Sequence, residues 1–209
     1  MIKEFSLERK IALITGAGRG LGRAIATVFA EAGADVVGAS RTAAELEETA
    51  AEVRRFGRRC LSVPTDITNL TQLRTLVDRA VDEFGKVDIL VNNAGLGFTK
   101  PMILTPGLDK LKIARLAPDY TVPATEHQWD LVWDTNVKSL MALANEVVPH
   151  MLKTGKGKIV NLSSVGAKKY IGSQGILTLP HVIVHCIVRF SRFCERIVMG
   201  LNRPMIYAA

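Results

Sequence analysis

With 209 residues, 48% of them apolar and 6% aromatic, the chain has the length of one domain and enough apolar content for a sizeable core. It begins Met1-Ile2-Lys3-Glu4-Phe5, without the basic and apolar run of a secretion signal, and no stretch reaches the roughly 20 apolar residues of a membrane span, so a cytoplasmic protein is expected. The net charge of +7 is scattered and carries no basic-aromatic pattern of a nucleic-acid binder, which sets DNA and RNA aside as expected partners and leaves an anionic small molecule.

Three cysteines, Cys60, Cys186 and Cys194, lack metal-ligand spacing and fit a reducing compartment. Part of the positive charge lies in Arg54-Arg55-Phe56-Gly57-Arg58-Arg59, read as a solvated helix end whose cations oppose the helix dipole.

Hydrophobic periodicity alternates between strand and helix down to about residue 165. Strands are expected at 11–15, 35–39, 60–64, 87–91 and 157–162, and helices at about 21–32, 43–56, 69–84 and 126–153. This alternation predicts an α/β fold, a doubly wound parallel sheet with right-handed crossovers and helices on both faces. A ligand is expected at the carboxyl ends of the strands.

The first strand-to-helix turn is Thr15-Gly16-Ala17-Gly18-Arg19-Gly20-Leu21-Gly22. Gly16, Gly18, Gly20 and Gly22 permit torsions and a close approach that a Cβ would block. The helix opening at Leu21 offers free N–H groups and a positive dipole end to a pyrophosphate. This is the arrangement of a dinucleotide site.

The end of the second strand then bears on which nicotinamide cofactor fits. An NAD site places a carboxylate there for the ribose 2′-hydroxyl, whereas a 2′-phosphate needs cations and no nearby carboxylate. Ser40 and Arg41 supply a hydroxyl and a guanidinium, and Arg19 reaches toward the same phosphate. NADP(H) is therefore expected over NAD(H).

Asp66-Ile67 follows the third strand and Asn92-Asn93-Ala94-Gly95 the fourth; Asp134-Thr135-Asn136-Val137 and Ile159-Val160-Asn161-Leu162-Ser163-Ser164 come later. With the glycine turn, these motifs in this order resemble the short-chain dehydrogenase/reductase family over about residues 5–176. The resemblance implies a Rossmann-type fold and hydride transfer between a nicotinamide cofactor and a carbonyl or secondary alcohol. It sets Asp66 and Ile67 along the adenine, and Asn93, Ala94 and Gly95 near the ribose and nicotinamide. Asn136 would hold a helix carbonyl and a water of the proton relay, and Ser164 would hydrogen-bond the substrate carbonyl, so Ser164 and Asn136 are the candidate catalytic residues.

Between Gly95 and the helix carrying Asn136, residues 96–124 form a stretch longer than most relatives need, broken by Pro101, Pro106, Pro118 and Pro123. Long loops of this kind often cover or shape a binding site. Thr125-x-x-Gln128 reads as a capping box opening the next helix.

The pattern breaks after Ile176. In the family a tyrosine follows the catalytic serine at thirteen residues and a lysine follows the tyrosine at four. The lysine lowers the phenol's pKa from one helical turn away. Counted from Ser164, those positions hold Leu177 and His181, and no Tyr-x-x-x-Lys occurs in the chain. Tyr170 is read as a pocket-wall or surface residue. The expected fold is thus a Rossmann-type sheet missing the family's last strands, in a truncated or altered form.

Two parts follow: a cofactor-binding domain over 1–176 and a divergent tail over 177–209. The tail carries an apolar stripe at Ile183, Ile187, Phe190, Cys194, Ile197 and Leu201, read as an amphipathic helix packing on the domain's own core. His181 and His185 have no third ligand, so no metal is expected. Two readings stand: an oxidoreductase whose turnover suffers from the missing tyrosine and lysine, and a non-catalytic NADP(H)-binding or partner-binding isoform. The resemblance also implies a homo-oligomer, weakened by the altered end.

Overall fold

The computed structural model describes residues 6–97 and 124–163. The chain divides into two compact units. Among the described residues, the first holds 6–94 and 139–162 and the second holds 95–97, 124–138 and Ser163.

The first unit is a five-stranded parallel sheet in the order β3-β2-β1-β4-β5, built from β1 (Ile11–Thr15), β2 (Asp35–Ser40), β3 (Cys60–Pro64), β4 (Ile89–Asn92) and β5 (Lys158–Asn161). Every residue of β1 is buried, because a central parallel strand is covered on both faces; this is why Ile11-Ala12-Leu13-Ile14 reads as one apolar run. The order reverses direction between β1 and β4, the switch point beside which ligands bind in such sheets.

Period-two alternation divides the sheet's side chains between two cores. On one face Ala12, Ile14, Val36 and Val91 pack with α1 (Gly20–Glu31) and α2 (Ala43–Arg55), through Ala26 and Ala30 of the first and Leu46 and Val53 of the second. On the other, Leu13, Val37 and Leu90 pack with Leu73, Leu76 and Val77 of α3 (Leu70–Phe84), and with Leu143, Val147 and Met151 of a later helix, Ser139–Lys153. Each fully buried Leu or Val contributes about 1.5–3 kcal/mol. Asn69 caps α3 by accepting from the N–H groups of Thr71 and Gln72, and Gly85 ends it at φ 78°.

The expected helix over 126–153 is interrupted. It consists of α4 (Glu126–Trp133), a π-helical turn (Asp134–Lys138) and α5 (Ser139–Lys153). The predicted capping box is present: Gln128 N donates to Thr125 Oγ1 and Thr125 N to Gln128 Oε1. The π turn inserts one residue where an α-helix would continue, an irregularity found frequently at functional sites. It holds Asn136.

The basic run at the end of α2 also differs in part from its reading as a solvated helix end. Arg54 and Arg55 lie in the last turn of α2, but Arg58 and Arg59 turn onto the buried Asp35 carboxylate at 2.9 and 3.4 Å, and Arg59 lies 4.5 Å above the Phe84 ring.

Candidate cofactor site

The glycine turn leaves β1 and enters α1, and its glycines divide into two kinds. A Cβ on Gly22 would overlap the carbonyl oxygen of Gly16, and one on Gly16 would lie 2.9 Å from Asn93 Nδ2. Those two positions are closed by backbone and by β4's loop. At Gly20, with φ 56°, a Cβ would meet nothing within 4 Å. The turn is thus tight at Gly16 and Gly22, crowded by side chains at Gly18, and open at Gly20.

The open part lies at the start of α1. Arg19, the N-cap residue, makes no side-chain cap, and the first turn of α1 contains no acidic residue. By contrast Asn69 and Thr125 cap α3 and α4. Thr42 at the start of α2 makes no side-chain cap either, but that helix carries Glu45 in its first turn; the start of α1 has neither a side-chain cap nor a carboxylate, and its dipole end favours an anion. This cradle fits a pyrophosphate.

The carbonyls of the turn are held from behind. Arg23 Nε donates to Gly18 O at 3.1 Å and Thr49 Oγ1 donates to Ala17 O at 2.9 Å, while Arg23 also pairs with Glu48. Neither residue stands out in the sequence, since an arginine and a threonine inside amphipathic helices carry no motif of their own.

The Asn-Asn-Ala-Gly turn is tied to the end of β1 through Thr15, whose role the sequence likewise does not announce. Asn93 N and Ala94 N donate to Thr15 Oγ1 at 3.1 and 3.0 Å, and Asn93 Nδ2 donates to Thr15 O at 2.9 Å. Asn93 and Ala94 are thereby fixed beside Gly16, across the switch point. One step back, Asn92 Nδ2 donates to Asn161 Oδ1 at 2.8 Å between paired residues of β4 and β5.

At the end of β2, Ser40 Oγ donates to Thr42 O at 3.3 Å, and Arg41, like Arg19, is exposed. Glu45, in the first turn of α2, enters the same place. A Cβ built on Gly18 would lie 2.8 Å from Ser40 Oγ and 2.9 Å from Glu45 Oε2. A carboxylate is therefore close to the position where strand-end residues alone suggest only a hydroxyl and guanidinium groups.

Asp66 follows β3 and caps its own turn, accepting from Thr68 N at 2.9 Å and Thr68 Oγ1 at 2.8 Å. These two bonds, backbone first, hold its carboxyl below the usual carboxylate range, with a smaller contribution from Arg41. Ile67 is half-buried against the core shared with α3. Leu21 is 61% exposed on the first turn of α1.

In the second unit Gly95 is exposed, and Asn136 forms a reciprocal pair with the next residue: Leu96 N donates to Asn136 Oδ1 at 2.9 Å and Asn136 Nδ2 donates to Leu96 O at 2.7 Å. The carbonyl that Asn136 takes is in a loop, where the resemblance implied a helix. Ser164, Tyr170, Leu177, His181 and the tail stripe lie outside the described residues, as do 98–123 of the long stretch. Among the described residues no cluster of His, Cys, Asp or Glu suits a metal ion, and no helix is long and apolar enough to cross a membrane.

The short chain dehydrogenase family model matches residues 10–176. The chain belongs to that family. It is 37% identical over 181 residues to 2-dehydro-3-deoxy-D-gluconate 5-dehydrogenase of Dickeya dadantii, covering 86% of this chain and 61% of that protein. An uncharacterized oxidoreductase of Mycobacterium tuberculosis is 40% identical over 161 residues, covering 77% of this chain and 54% of its own length. Among solved structures, a 7α-hydroxysteroid dehydrogenase complexed with NADH and 7-oxo glycochenodeoxycholic acid superposes with a TM-score of 0.79 at 31% identity, covering 92% of this chain and 68% of that one. The chain thus spans about three-fifths of the length of the first of these curated relatives. The family match and the parallel sheet agree with the Rossmann-type expectation drawn from the motifs.

Proposed function

We propose that this chain binds NADP(H) in preference to NAD(H), as the cofactor-holding part of an oxidoreductase that interconverts a carbonyl and a secondary alcohol. The observation that carries the reading is the uncapped start of α1 behind an open glycine turn, a cradle suited to a pyrophosphate. Gly16, Gly18, Gly20, Leu21 and Gly22 would line it, with Asn93, Ala94 and Gly95 toward the nicotinamide and Asp66 and Ile67 along the adenine. Arg19, Ser40 and Arg41 would take the 2′-phosphate. When bound, NADPH would donate a hydride to the carbonyl and NADP+ would accept one from the alcohol. Asn136 and Ser164 are the chain's own candidates for positioning and polarising the substrate oxygen, and a small-molecule substrate in a cytoplasmic setting suits that chemistry.

One sequence feature favours a second reading, a non-catalytic NADP(H) binder. Leu177 cannot exchange a proton, and general acid–base help is worth about 10²- to 10⁴-fold in rate. A fluorescence titration of the full chain with NADPH, with NADH alongside, tests the shared part: saturable binding with NADPH tighter is expected. No saturable binding of either cofactor would overturn both readings. Carbonyl reduction above a cofactor-only blank then separates the enzyme from the binder.

A further inference from the structure

We infer that Glu45 is a specificity-determining residue that acts against the 2′-phosphate and holds the chain's preference for NADP(H) to a narrow margin. The inference rests on the proposed cofactor site and concerns a residue on α2, outside the glycine turn and the strand end. Three observations carry it. Glu45 Oε2 and Ser40 Oγ crowd the same side of Gly18, at 2.9 and 2.8 Å from where a Cβ would stand. The Glu45 side chain is half-buried and has no hydrogen-bond or ion-pair partner among the described residues, whereas its neighbours Glu47 and Glu48 pair with Arg54 and Arg23. Arg19 and Arg41, the cations assigned to the phosphate, are both exposed to solvent that screens them.

An unpaired carboxylate beside Ser40 repels a phosphate dianion and accepts from a ribose hydroxyl. It therefore opposes NADPH and favours NADH, while Arg41 and Arg19 pull the other way. A carboxylate in the first turn of α2 also suits that helix's dipole. That structural role leaves the ratio of NADPH to NADH affinity unchanged, so the ratio is the quantity to read.

Glu45→Gln keeps the side chain's shape and removes its charge. Fluorescence titrations of the full chain are expected to show NADPH binding tightened about three- to tenfold, from the loss of one unit charge facing a dianion, with NADH binding unchanged or weaker. Glu47→Gln, which removes an equal charge farther along α2, is expected to leave the ratio unchanged. Glu45→Asp, which shortens the side chain and keeps the helix-start charge, gives an intermediate ratio and stands in if the glutamine variant fails to fold. Wild-type binding with a ratio that neither Glu45 variant moves overturns the role given to Glu45 alone. Wild-type failure to bind either cofactor overturns the cofactor site together with this inference.

Discussion

The carboxamide of Asn136 makes both hydrogen bonds that a neighbouring strand would offer Leu96, accepting from its N–H at 2.9 Å and donating to its carbonyl at 2.7 Å. Asn136 is only 8% exposed, so its carboxamide depends on this pair for its hydrogen bonds. Asn136→Asp keeps the acceptor and places a carboxylate against the Leu96 carbonyl. It is expected to lower stability by about 1–3 kcal/mol, the cost of leaving buried polar groups unmet, read as a reduced midpoint in urea at unchanged slope. An unchanged midpoint would show that the pair does not hold Leu96.

The two kinds of glycine in the turn predict different outcomes for one substitution. Gly22→Ala drives a methyl into the Gly16 carbonyl and within 2.6 Å of Asn93 Nδ2, so backbone has to move. A loss of about 3 kcal/mol or more is expected, in the upper range of overpacking costs, together with loss of NADPH binding. Gly20→Ala meets no atom and carries only the left-handed torsion, worth about 1–2 kcal/mol. Urea unfolding of the two variants checks the order.

Arg41→Ala removes the strand-end cation assigned to the 2′-phosphate. NADPH binding is expected to weaken about tenfold, or ~1.4 kcal/mol, just under the ~1.5–3 kcal/mol of a hydrogen bond to a charged group because Arg41 is exposed, with NADH little changed. The wild-type preference for NADPH should also shrink in added salt, because Arg41 is exposed. Equal weakening of both cofactors would place Arg41 outside the 2′-phosphate site.

Asp66 is held below the usual carboxylate range by the two bonds from Thr68. A folded-state pKa lower than the unfolded one means that the unfolded chain binds the proton first as pH falls. The contribution is fully present above the ordinary carboxylate range and disappears as pH drops through the lower folded value. Asp66→Asn is expected to be less stable than wild type at neutral pH and to converge with it at strongly acidic pH. A gap of constant size across that range in urea unfolding would contradict the assignment.

Burial pushes the Cys60 thiol up to about 11, the nearby Arg54 offsetting part of that effect. At pH 8 very little thiolate is present, and thiolate is the reactive form. Peptide mapping after alkylation of the folded chain should show Cys60 modified slowly, with a rate that keeps rising above pH 9.

The sheet is legible in the sequence because its evidence is local. Ile11-Ala12-Leu13-Ile14 is apolar without a break since β1 is central, and Gly85 ends α3 where the periodicity stops. Bonds between distant segments leave weaker marks. The π turn at Asp134–Lys138 reads as continuous helix, since Val132, Val137 and Leu140 remain apolar and buried across it. Arg58 and Arg59 read as a solvated helix end because their partner, Asp35, lies at the start of another strand. Within the candidate site, the glycines announce themselves by type and spacing. Glu45 does not, because its approach to Gly18 depends on how α2 packs beside α1, a relation between helices that no spacing in the sequence encodes.

No side chain caps the start of α1. A helix that leaves its opening N–H groups to a ligand makes the folded state's population answer to mass action, and at a hundred times its dissociation constant a bound cofactor adds about 2.7 kcal/mol to stability. Under the proposed function the chain's survival in a cell would track the local supply of reduced or oxidised dinucleotide: scarce cofactor would expose it to proteolysis, and abundance would protect it.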